Sequence, residues 1–342
     1  MTRILLTGGS GFIAAHVLGL LLKQGYSVVT TVRNQKKADQ IKSVFSKYGK
    51  DQLDFTIVED IAQPDAFKNA VISTPPFEAV IHTASPFQFN VTDIQKDLLD
   101  PAIIGTTNML KAIKDGAPTV KRVVITSSFA AIYDPSKGDR PGYTYSEIDF
   151  NPMTLEDALS HPANGYTGSK AFAEKAAWDF VEKEKPNFSL SIICPTLVFG
   201  PIIPALHLLS SLNTSNQLIY GITAGAAKTR IPDMGGHCWV DVRDVAYAHV
   251  QAMSLPTAAN KRFFTTANEQ YNNKTVVEII RKNFPEYKDV LPGGEVEGGR
   301  FPVGGTFGTN NERSKEVLGV EYHGLEKTVV DTVNSFSAVS QK

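Results

Sequence analysis

The chain has 342 residues, a formal net charge of −1 and 42% hydrophobic residues. A chain of this length hides roughly 75% of the surface its extended form exposes, which suits one large α/β domain with an appended lobe, or two domains. Near-neutrality gives no electrostatic reason to expect nucleic acid or an acidic membrane surface as partner. Two cysteines make neither a disulfide framework nor a zinc ligand set, so a reducing, cytoplasmic setting is expected.

In chain order, Ile4–Thr7 reads as a strand and Ile13–Gln24 as a helix. The apolar N-terminus is interrupted by Gly8, Gly9, Ser10, Gly11 and His16, which argues against a signal-peptide core, and no run of ~18 apolar residues is present to span a bilayer. Ser27–Val32, Leu53–Val58, Ala79–Thr83, Arg122–Thr126 and Leu190–Ile193 follow as strand candidates, with helical patterns at Ala66–Ile72 and Ile94–Lys114. Strands that alternate with helices and are continuously apolar predict a doubly wound parallel sheet of Rossmann type, covered on both faces. The expected nucleotide-binding domain is 1–195. Beyond it, prolines and glycines break the pattern, and 196–342 is expected to be mainly a smaller substrate lobe, with about 237–255 returning to the sheet. Asn273–Asn283 and Leu325–Phe336 are predicted helices of that lobe.

Gly8, Ser10, Gly11, Phe12 and Ile13 lie between the first strand and the first helix. Glycines there permit a tight turn and let the backbone approach a pyrophosphate, whose charge the helix N-terminus meets. An NAD enzyme places an acid near the end of the second strand to hold the ribose hydroxyls. This chain instead has Arg33 and Lys37 there, and no acid until Asp39. A planar guanidinium and a second cation suit an adenosine 2′-phosphate, so the expected cofactor is NADPH.

Tyr-x-x-x-Lys puts a proton-donating phenol and a lysine on one helix face. Eleven tyrosines in a chain with 34 lysines and arginines make a chance match ordinary, and Tyr133…Lys137 and Tyr166…Lys170 both fit. Tyr133 is followed by Asp-Pro-Ser-Lys-Gly-Asp-Arg-Pro-Gly, which cannot sustain a helix, whereas Tyr166 opens an alanine-rich one. Tyr166 is therefore the expected general acid, Lys170 the group that lowers its pKa, and Ser128 the hydroxyl that orients a carbonyl. The seven histidines show no metal-ligand spacing, so no metal is expected.

The glycine loop, Thr126-Ser127-Ser128, Tyr166…Lys170 and Val240-Asp241-Val242-Arg243-Asp244-Val245-Ala246 together resemble the extended short-chain dehydrogenases/reductases. His82-Thr83-Ala84-Ser85-Pro86-Phe87, Asp97-Leu98-Leu99, Phe172-Ala173-Glu174-Lys175-Ala176-Ala177-Trp178 and Leu212-Asn213-Thr214-Ser215 narrow the resemblance to fungal methylglyoxal/3-methylbutanal reductases, with plant dihydroflavonol reductases more distant. It covers nearly the whole chain and thins over 201–236 and 292–308, the stretches left to shape the pocket. The resemblance implies an NADPH-dependent reductase of small aldehydes, ketones or diketones, acting as monomer or homodimer. It implies Asp60 and Ile61 beside the adenine, Thr83, Ala84 and Ser85 along the dinucleotide, Lys170 on the cofactor ribose, Pro195, Thr196, Leu197 and Val198 beside the nicotinamide, and Ser215 as a further cofactor-binding residue. Phe87, Phe129 and Tyr133 would wall the substrate pocket. Two other readings share parts of the pattern: a sugar-nucleotide epimerase or dehydratase, and a dinucleotide sensor without catalysis.

Overall fold

The computed structural model describes residues 1–85, 91–233 and 236–340. Its strands in chain order are β1 (Arg3–Thr7), β2 (Ser27–Val32), β3 (Leu53–Ile57), β4 (Ala79–His82), β5 (Arg122–Thr126), β6 (Thr144–Tyr145), β7 (Ser189–Pro195), β8 (Leu197–Phe199), β9 (Trp239–Asp241), β10 (Lys261–Thr265) and β11 (Gly308–Thr309). The α-helices are α1 (Phe12–Lys23), α2 (Gln35–Val44), α3 (Asp100–Gly116), α4 (Leu155–Ser160), α5 (Pro162–Glu184), α6 (Thr214–Thr223), α7 (Val242–Ser254), α8 (Asn273–Asn283), α9 (Glu312–Leu318) and α10 (Leu325–Ser340).

Seven strands lie side by side in the order β3-β2-β1-β4-β5-β7-β10, every pair parallel. β1 and β2 are buried along their whole length, as strands covered on both faces must be. On one face Ile4, Leu6 and Val28 pack against Val17, Leu18 and Leu21 of α1 and against Ala246 and Val250 of α7. On the other, Leu5, Val80 and Val123 pack against Met109, Leu110 and Ile113 of α3 and Ala177 of α5. A third core, with Phe199, Trp239, Tyr271, Val277 and Val333, joins α6, α8 and α10 into the C-terminal lobe. Phe129, Tyr145, Phe264 and Phe307 make an aromatic cluster between sheet and lobe.

Two expectations change. Ala66–Ile72 forms turns rather than a helix: Asp65 has φ +56°, and a run this short between such a residue and Pro75-Pro76 cannot recover the cost of helix nucleation. Lys261–Thr265, not marked as a strand from the sequence, extends the sheet beyond β7. The expected helix at 94–114 is present, but its first turn, Gln95–Leu99, is a π turn leading into α3, next to Pro101, which has no N–H to donate. No helix among the described residues is long and apolar enough to cross a membrane.

Candidate active site

Because all seven strands run the same way, the segments that follow them share one edge of the sheet. The chain leaves β1 toward β2 on one side while β4 lies on the other, and that divergence is where such sheets bind ligands. Gly8 takes φ +73°, and a Cβ at Gly9 would stand 2.1 Å from Thr30 Oγ1. Only glycine lets the loop lie this close to β2. The Gly8 and Gly9 N–H groups donate to Thr31 Oγ1 (2.9 Å) and to the Thr31 carbonyl (3.1 Å), pinning the turn. Gly11 caps α1 without a side-chain hydrogen bond, and the first turn of α1 carries no acid. The first N–H groups of a helix have no acceptor within it and suit the pyrophosphate of a dinucleotide, for which the glycine cradle leaves room.

The sheet brings the other predicted cofactor residues to the same edge. Arg33 stands exposed one residue past β2, and Lys37 lies in the first turn of α2, whose cap is Asn34. Asp60 follows β3. The Gln63 amide and the Ala62 N–H, with Arg33 nearby, hold its carboxyl below the usual range despite slight desolvation. Ile61 sits under α3, where a Cβ at Gly105 would meet its Cδ1 at 2.8 Å. After β4, the N–H groups of Thr83 and Ala84 both donate to Thr7 Oγ1 (3.1 and 3.0 Å), and Thr7 Oγ1 also bonds His82 Nδ1 at 2.9 Å. Burial, with the Lys170 charge acting the same way, pushes the His82 imidazole down to about 4, so it stays neutral. Thr7 and His82 tie the two sides of the crevice together, a role with no signal in the sequence beyond their places at strand ends.

Ser128 follows β5, and Tyr166 and Lys170 lie one turn apart on α5. The Ser128 hydroxyl is hydrogen-bonded to the Tyr166 phenol and also accepts the Ala130 N–H at 3.1 Å. Lys170 Nζ donates to Ser85 Oγ at 2.7 Å and stands 5.8 Å from the centre of the Tyr166 ring. Burial pushes the ammonium down to about 8. Burial holds Tyr166 above its ordinary value, and the Ser128 hydrogen bond only partly offsets that. Removing a phenol from water costs its charged form more than one hydroxyl returns.

Tyr133 is differently placed. Lys137 ends an exposed 3-10 turn, Pro135–Lys137, and the Tyr133 hydroxyl donates to the Gly138 carbonyl at 3.1 Å. Phe129 stacks on Phe264 with centroids 5.1 Å apart and meets Tyr133 at 5.6 Å, so both belong to the aromatic cluster that begins one residue beyond Ser128. Phe87 lies outside the described residues. Pro195 closes β7, the Thr196 N–H donates to the Thr265 carbonyl at 3.2 Å, and Leu197 and Val198 continue into β8. The Val198 carbonyl accepts from Asn213 Nδ2 at 3.0 Å, which brings the start of α6, and half-buried Ser215, beside this segment. Cys194 and Cys238 are buried and unpaired, and burial pushes the Cys238 thiol up to about 12.

The model of the NAD dependent epimerase/dehydratase family matches residues 4–272. A ketoreductase of Aspergillus niger, azaE, is 45% identical over 97% of each chain. A putative NADPH-dependent methylglyoxal reductase of Candida albicans, GRP2, is 41% identical over 97% of each. The crystal structure of Candida albicans Gre2 with NADPH superposes with a TM-score of 0.90 at 38% identity, covering 99% of both chains.

Proposed function

This chain belongs to the NAD dependent epimerase/dehydratase family, and within it we propose an NADPH-dependent carbonyl reductase that turns small aldehydes, ketones or diketones into alcohols. The observation that carries the reading is a phenol paired with the Ser128 hydroxyl on the carboxyl edge of a dinucleotide-binding sheet, in a chain whose relatives include an NADPH-dependent methylglyoxal reductase of Saccharomyces cerevisiae, GRE2. NADPH supplies the hydride when bound. Ser128 donates to the substrate oxygen and fixes it beside Tyr166. Tyr166, kept protonated by burial, gives its proton as negative charge grows on that oxygen. Lys170 holds the cofactor ribose with the charge that burial leaves marginal. Gly8, Ser10, Gly11, Phe12 and Ile13 cradle the pyrophosphate, and Arg33 and Lys37 hold the 2′-phosphate. Asp60 and Ile61 would flank the adenine, Thr83, Ala84 and Ser85 would follow the dinucleotide, Pro195, Thr196, Leu197 and Val198 would border the nicotinamide, and Ser215 would be a further contact to the cofactor. Phe129 and Tyr133 supply the apolar wall that a small carbonyl meets. Residues 1–195 and the return of 237–255 serve the cofactor, and the remainder of 196–342 serves the substrate. The reading extends to a cytoplasmic protein, monomer or homodimer.

The test is stoichiometry. A panel of aldehydes, ketones and diketones should each consume one NADPH per alcohol formed. Turnover of a sugar nucleotide with no net NADPH loss would instead place the chain with the epimerases and dehydratases. Binding of NADPH without turnover of any carbonyl would leave only the sensor.

A further inference from the structure

Two turns below Tyr166 and one below Lys170, Glu174 lies on the same face of α5 and is 3% exposed. It pairs with Arg262 of β10, itself 5% exposed. Its Oε2 accepts from the hydroxyl of Ser127, the residue before Ser128, at 2.5 Å, and its Oε1 accepts from Trp178 Nε1 at 3.3 Å. The far end of the Arg262 fork donates to the carbonyls of Ala131 (3.2 Å), Glu147 (2.9 Å) and Asp149 (2.5 Å). One carboxylate thus joins α5, the end of β5, β10 and the segment that follows Ser128.

The rest of α5 packs through small, fully buried residues and through half-buried Trp178, Phe180 and Val181, none of which carries a charge. The residues it buries are Gly165, Gly168, Ser169, Glu174 and Ala177. Among the fully buried residues Glu174 alone has a long side chain, and it alone is charged. Directional, charge-assisted hydrogen bonds resist a slide that small apolar contacts permit. A small cavity of about 20 Å³, room for one water, has Lys170, Ser127 and Glu174 among its lining residues.

We propose that the Glu174–Arg262 pair, through Ser127, is the positioning element of the reductase, holding the Tyr166/Lys170 face of α5 in register with Ser128. The proposal rests on the assignment of Ser128, Tyr166 and Lys170 as the reacting site. In this proposal Glu174, buried behind Lys170, acts through other residues and not on the reacting atoms. A small error in the phenol's placement costs the chemical step far more than it costs cofactor binding, since displacement of a reacting group by ~1 Å can lower a rate by about 10²-fold.

The experiment uses the full chain. Ser127→Ala removes one hydroxyl from the carboxylate. The double variant Glu174→Met with Arg262→Met removes both charges together, so that neither is left buried and unpaired. The double variant should bind NADPH, read by fluorescence titration, within about two-fold of the parent Kd, with kcat lowered by roughly ten-fold or more and KM for the carbonyl little moved. Ser127→Ala should show the same split at about three-fold. Lys175→Ala, which breaks an exposed pair with Asp179 on the same helix, should keep the parent rate. If the double variant fails to fold, Ser127→Ala alone decides. The proposal is overturned if Ser127→Ala, and the double variant where folded, keep kcat within about two-fold of the parent, or if kcat falls only in step with NADPH affinity. Tyr166→Phe, measured in parallel, separates the two failures. Loss there with full activity in the other variants sinks the positioning role alone, while full activity in Tyr166→Phe sinks the site assignment beneath it.

Discussion

Tyr166 and Tyr133 show how one spacing acquires different meanings. Each precedes a lysine by four, yet only Tyr166 has its lysine on a continuous helix and a serine hydroxyl on its phenol. Tyr166→Phe keeps the ring and removes the proton, so turnover should fall by ~10²–10⁴-fold while NADPH still binds; Tyr133→Phe should keep most of its turnover. Steady-state kinetics on the two variants, with NADPH titrations alongside, would check this. Equal losses in both would contradict it. Lys170 sets a second expectation. Burial depresses its pKa to about 8, whereas Tyr166 is raised. A lysine with a lowered pKa is charged below that value and neutral above it, so cofactor capture should weaken as pH rises through about 8. The profile of kcat/KM for NADPH reports the free protein and should show an alkaline limb there, well below any limb from the phenol. A flat profile to pH 9.5 would exclude a role for the Lys170 charge.

At the scale of elements, the strand-to-helix turn at the N-terminus and α5 carry the site. The turn is legible because its requirement is local. Gly8 needs a positive φ, and Gly9 has no space for a side chain beside Thr30. Gly9→Ala should push the loop away from β2, weakening NADPH affinity by roughly ten-fold and lowering stability by about 1–3 kcal/mol, an overpacking cost. Titration and thermal unfolding would read both, and an alanine variant with parent affinity would mean the loop does not need to lie against β2. Six of the seven strands of the main sheet were equally legible, since apolar runs between helical segments leave few alternatives. Ala66–Ile72 misled because periodicity over seven residues does not weigh helix nucleation against the turn made at Asp65. Lys261–Thr265 was missed because it begins Lys-Arg, yet Arg262 is buried through its partner Glu174.

For the molecule as a whole, Asp241 decides how the lobe meets the sheet. It is wholly buried at the start of α7, where it accepts from the Arg243 backbone and guanidinium and, at 2.7 Å, from Thr328 Oγ1 of α10; Arg243 also pairs with Asp331 of α10. Burial pushes the Asp241 carboxyl up, but the Arg243 and Thr328 bonds together hold it below its ordinary value. A depressed carboxylate contributes stability above the unfolded pKa of about 3.9 and loses it as pH falls through the lower folded value. Asp241→Asn should therefore cost about 3–5 kcal/mol at pH 7, with a smaller difference from the parent near pH 3. Urea midpoints at the two pH values would test it, and coincident midpoints at pH 7 would contradict it.

What the sequence determined by itself is whatever depends on neighbours along the chain: the phosphate turn, the runs that become β1, β2 and β5, the two cations after β2, and the helix that puts Lys170 one turn from Tyr166. These follow from backbone freedom and periodicity within a dozen residues. The tertiary structure alone decided the rest. His82 became neutral because the sheet buries it against Thr7, and Glu174, visible only as part of a family-like stretch, found Arg262 far along the chain. The phenol's raised pKa is likewise a property of burial, which no local pattern carries. Charge balance and desolvation are set by which elements close over a side chain, and those elements come from distant parts of the sequence.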